Sequence, residues 1–114
     1  MIRPLRCLHG ILACMALSAA STPAANLTWT GTGSPDSNNW FNSANWSGSG
    51  NFPQDGDSVS IGSGQTVLLT NSTAQLADFT INTTSFTFTN WTTALRATNI
   101  TVQASGGFTH ALCA

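Results

Sequence analysis

The stretch DFTINTTSFTF, residues 78–88, decides the fold. Phe79-Thr80-Ile81 and Phe86-Thr87-Phe88 each alternate apolar and hydroxyl side chains, the period-2 mark of a strand with one buried face. Polar residues 82–85 separate them, enough for a turn.

The same pairs recur on either side. Upstream lie Val59/Ile61 and Val67/Leu69; downstream lie Ile100/Val102, then Phe108 with His110 where an apolar partner is due. Val59 to Phe79 is 20 residues and Phe79 to Ile100 is 21, while Val67 to Phe86 is 19 and Phe86 to Phe108 is 22. Two columns therefore interleave with one period. Helix formers are scarce and Thr is frequent, so the domain is expected to be all-β. A short unit repeated at this interval buries its apolar face only when the next unit stacks on it. The spacing predicts a short right-handed parallel β-helix, a solenoid. An antiparallel β-sandwich, whose strands also recur at short intervals, is the alternative.

In the solenoid reading, residues 57–114 are incomplete rungs with a period of about 20 residues. They make fewer than three full circuits, so the chain is expected to be the N-terminal part of a longer protein or to self-associate edge to edge through its last rung. Residues 26–56 are rich in Trp, Gly and Asn, carry no 3.6-residue periodicity, and are expected to form an N-terminal cap of loops and short strands. Trp40 and Trp46 either cover the open end of the core or, with Trp29 and Trp91, offer stacking faces to a glycan.

Residues 1–25 have the form of a secretory signal peptide. Arg3 and Arg6 precede an apolar run over residues 8–17, and small residues then allow cleavage between 20 and 25. A membrane anchor needs roughly 20 apolar residues, and this run is shorter and interrupted by His9 and Gly10. The expected location is outside the cell or on its surface.

After the leader, the charged side chains are Asp36, Asp55, Asp57, Asp78 and Arg96. Thr, Ser and Asn make up roughly two fifths of that part, so solubility rests on hydroxyls and amides. No basic patch is available to neutralise phosphates, which argues against nucleic acid as a partner. Cys113 is the one cysteine left, so no internal disulfide is expected.

Asp55-Gly56-Asp57 sets two carboxylates close together but lacks the further oxygen ligands of a Ca²⁺ loop, and reads as a turn feeding the strand at Val59. Asp78 and Arg96, 18 residues apart, are spaced for an ion pair across one circuit. His110 is the one histidine after the leader and no nucleophile elbow accompanies it. No catalytic, cofactor-binding or metal-binding residue is expected, and the chain is not expected to be an enzyme. Polysaccharide-degrading activity would rest on analogy with other parallel β-helices. Asn-x-Ser/Thr triplets begin at Asn26, Asn45, Asn71, Asn82, Asn90 and Asn99, and these amides could also form ladders at the turns between rungs.

In order along the chain, Trp29, Gly31, Trp40, Ala44, Asn45, Trp46, Pro53, Gly56, Asp57, Val59, Ile61, Gly64, Val67 and Leu69 form a pattern. It resembles the start of bacterial autotransporter passengers and related secreted β-helix proteins, over about 40 residues. The resemblance implies a secreted or surface-exposed stalk or adhesin with host or matrix glycans or proteins as partners. Many such proteins end in an outer-membrane barrel, for which these 114 residues have no room.

Overall fold

The computed structural model describes residues 23–111; the expected signal peptide, apart from its last residues, and Cys113 lie outside the described residues. The fold is all-β. Its elements in chain order are β1 (Asn26–Trp29), a 3-10 turn (Ser43–Asn45), β2 (Trp46–Ser47), β3 (Ser58–Ile61), β4 (Thr66–Leu69), β5 (Gln75–Ile81), β6 (Ser85–Phe88), β7 (Arg96–Val102) and β8 (Phe108–His110).

The strands form two sheets, one in the order β2-β1-β3-β5-β7 and one in the order β4-β6-β8. Both columns are in register. Val59 pairs with Phe79 and Phe79 with Ile100; Ile61 pairs with Ile81 and Ile81 with Val102. In the other sheet Val67, Phe86 and Phe108 align, as do Leu69, Phe88 and His110. A slip of one residue would turn Phe79 and Ile81 to solvent, so burial on one face holds the register.

These pairings are parallel, and the antiparallel sandwich is therefore not the arrangement found. Only β1 and β2 run antiparallel. The physical reason is connectivity. From β3 to β8 successive strands alternate between the two sheets, so the chain returns to the first sheet in the same direction one period later.

The first sheet also begins earlier than the spacing suggests. β1 pairs in parallel with β3 and sets Leu27 against Val59, so a segment expected to belong wholly to the cap supplies a core strand. The sheets meet through aromatic edges: Phe79 of β5 and Phe86 of β6 lie 5.6 Å apart at 79°. Leu27, Val59, Ile61, Val67, Leu69, Leu76, Phe79, Ile81 and Phe86 are all buried between them.

Hydroxyls and amides stitch successive turns together. Thr83 Oγ1 donates to the Gln65 carbonyl at 2.6 Å, Asn90 Nδ2 donates to the Thr70 carbonyl at 3.1 Å, and the Arg96 N–H donates to Thr73 Oγ1 at 2.8 Å. Thr73 and Thr83 are themselves buried, and these bonds offset the cost of desolvating their hydroxyls.

Gly48, just after β2, has φ +119° and lies so close to Asn26 that a Cβ would overlap that residue's carbonyl oxygen. Gly48→Ala is therefore expected to cost about 2 kcal/mol or more and to loosen the β1–β2 pairing, measurable as a lowered melting temperature by circular dichroism.

Candidate functional site

The residues singled out by the sequence fall into four places. Trp40 and Trp46 are in the core, 0% and 5% exposed, together with Trp29. Trp46 meets Trp29 at 4.9 Å and Trp40 at 4.7 Å, both edge to face. Trp40 continues inward to Phe79 at 6.2 Å and Phe86 at 5.9 Å. Their faces are occupied by one another and by Phe79 of β5 and Phe86 of β6, so in this conformation neither Trp40 nor Trp46 has a face open to a glycan.

Backbone pairing fixes Trp40 there. Its N–H donates to the Leu68 carbonyl at 3.2 Å, and the Leu68 N–H donates to the Asn38 carbonyl at 2.7 Å. This short bridge lies on the outer edge of β4. Trp46 Nε1 donates to the Trp40 carbonyl at 2.7 Å, whereas the buried Nε1 of Trp40 has no acceptor among the described residues.

Asn45 organises the loop that carries both rings. It is fully buried; its Oδ1 accepts from the Gly33 N–H at 2.7 Å, and its Nδ2 donates to the Asp36 and Asn39 carbonyls at 2.8 and 2.9 Å. Gly33 is required for this approach, since a Cβ there would lie 2.7 Å from Asn45 Oδ1. The sequence marked Asn45 only as part of a resemblance and a triplet. An amide beside two tryptophans in a Gly-rich loop was the available signal for a loop-organising group.

The two carboxylates of Asp55-Gly56-Asp57 both hold backbone. Asp57 is buried and accepts from the Ala25 N–H and the Gln54 N–H, each at 2.8 Å. Asp55 accepts from the Gln75 N–H at 2.8 Å. They line a cleft of about 500 Å³ with Pro23, Ala25, Ser49, Asn51 and Gln54. The geometry is that of a turn tied to the start of β1 and to β5.

Asp78 and Arg96 do not meet across the circuit. The strand register sets Arg96 against Gln75 and Asp78 against Asn99. Asp78 instead joins a polar ladder on the outer face, accepting from Ser58 Oγ at 3.2 Å and from Asn99 Nδ2 at 3.0 Å. The expected ion pair fails because this sheet repeats at 21 residues between β5 and β7, and 18 falls short of it.

The exposed aromatic group lies at the other end of the molecule. Trp91, 65% exposed, stacks on His110 at 4.3 Å and 21°, and His110 stacks on Phe88 at 5.8 Å and 12°. The Asn90 side chain shapes this turn by accepting from the Thr92 N–H at 3.1 Å and from the Thr92 and Thr93 hydroxyls at 2.8 Å each. Of the four tryptophans, Trp91 is the one whose indole face is open. Iodide should therefore quench a fraction of the Trp emission, and Trp91→Ala should remove that fraction while leaving the shielded emission of the other three. Unchanged quenching in the variant would contradict this placement.

Among the described residues, no group of three or more His, Cys, Asp or Glu side chains is arranged to hold a metal ion. No curated protein and no solved structure matches the chain. A family model does: the G8 domain matches residues 45–111, from the Asn45 loop through β8. That span is more than half of the 114 residues, and the chain belongs to the G8 domain family.

Proposed function

We propose that this chain is a non-enzymatic structural and adhesive protein, exported to the cell surface or beyond, whose strands coil as a right-handed parallel β-helix. The observation that carries the reading is the in-register stacking of both apolar columns, with the carboxylates at Asp55 and Asp57 committed to backbone bonds. A stack of this kind presents hydroxyls and amides along its flanks and makes a stiff extended support. The resemblance of residues 29–69 to the start of autotransporter passengers supports the same reading.

A second reading, glycan binding, is favoured by one observation. Trp91 offers an open indole face backed by His110, and a flat apolar ring face suits the C–H face of a sugar. The labelled chain should be retained on immobilised matrix proteins or glycans without releasing reducing ends from polysaccharides. Loss of retention on glycans in Trp91→Ala, with an unchanged melting temperature, would favour the glycan reading; polysaccharide cleavage would overturn the non-enzymatic one.

A further inference from the structure

The backbone just before β1 is tied down by a carboxylate. The Ala25 N–H donates to Asp57 Oδ1 at 2.8 Å, and the Ala25 carbonyl accepts from the Ser58 N–H at 2.9 Å. The fold therefore holds the chain from Ala25 onward. Pro23 and Ala24 are exposed and make no hydrogen bond among the described residues. Asp57 is only 5% exposed, and among the described residues no cation is paired with it. A carboxylate so buried gains from a positive charge beside it. Asp55 lines the same cleft as Ala25 and Asp57, so two carboxylates share the space next to the Ala25 backbone.

Resting on the export reading, we propose that the leader is removed between Ala24 and Ala25, so that the α-ammonium of Ala25 replaces the amide N–H and pairs with Asp57. A leader peptidase adds water across the Ala24–Ala25 bond; the carboxyl leaves with the leader, and the amine on Ala25 takes up a proton. Thr22 and Ala24 supply the small residues that such an enzyme accepts at the third and first positions before the cut. A cut after Ala20 would leave residues 21–24 attached and place the new charge four residues before the nitrogen that Asp57 holds. A cut after Ala25 would delete both the bond to Asp57 and the bond from Ser58. Of the bonds between residues 20 and 26, the geometry thus favours the one that puts the charge on the Ala25 nitrogen.

Export of the full chain from a bacterial host, with N-terminal sequencing and intact-mass measurement of the product, tests this. The first residue is expected to be Ala25. A product starting at Ser21 or Asn26 would overturn the inference and leave export standing, whereas an uncleaved chain retained in the cytoplasm would overturn both. The ion pair has its own test. The sequence contains no lysine, so acetylation of the product reaches no amine but the terminal one, and it keeps an N–H there while removing the charge. At about pH 6 acetylation should lower the melting temperature by about 4 °C or more. An α-ammonium alone titrates at about 7.7–8.0, and Asp57 and Asp55 beside it raise that value. The stabilisation is therefore full below the ordinary value and lost as pH rises through the raised one, gone by about pH 10. Equal melting temperatures at about pH 6 would overturn the pairing.

Discussion

Trp40→Ala is expected to destabilise the fold by about 4 kcal/mol, close to the whole stability of many small domains. The ring is fully buried and packs against Trp46, Phe79 and Phe86, so its loss opens a cavity where the Trp-bearing loop meets β5 and β6. The expectation is a chain largely unfolded at 37 °C, with the near-ultraviolet dichroism of packed aromatics lost. Trp40→Phe should be far milder, about 1–2 kcal/mol. It keeps an aromatic ring in the site and sacrifices no hydrogen bond among the described residues, because the Trp40 indole N–H makes none. Urea midpoints of the two variants measure the difference. Equal, small losses would mean that Trp40 is not part of the core.

Asn45→Ala should cost about 3 kcal/mol, by a different mechanism. The volume lost is small, but the Gly33 N–H and the Asp36 and Asn39 carbonyls each lose their partner in a buried or partly buried setting. Asn45→Asp should be nearly as damaging, since a carboxylate accepts from Gly33 but has no proton to give the two carbonyls. Ser47→Ala, two residues away on the exposed side of β2, should change stability by less than about 0.5 kcal/mol and serves as the control. Chemical unfolding of the three variants would separate a network effect from a local effect of altering this segment.

The parts of the fold that were legible are those where one periodicity dictates both burial and stacking. Phe79/Ile81 and Phe86/Phe88 alternate at period 2, and their counterparts one repeat away carry the same alternation, so strand, face and partner could be read together. Leu27 was missed because its partner Val59 is 32 residues on, the interval being lengthened by the Trp-bearing loop. The position of Trp40 depends on a backbone bridge to Leu68, a long-range contact with no local signature. Composition likewise does not distinguish Trp91 from Trp29; what separates them is that one lies on the turn between β6 and β7 and the other points into the first sheet's core face. For Asp78 and Arg96 the spacing suggested an ion pair, yet three residues of mismatch against the local repeat were enough to give each a different partner.

The central claim is that successive strands of each sheet stack in parallel, about one repeat apart. Nuclear Overhauser contacts in the isotopically labelled chain test it most directly. The account predicts amide-to-α contacts linking Ser60 to Thr80 and Thr80 to Thr101, together with side-chain contacts along Val59, Phe79 and Ile100. Strong α-to-α contacts between these strands, the mark of antiparallel neighbours, would contradict it.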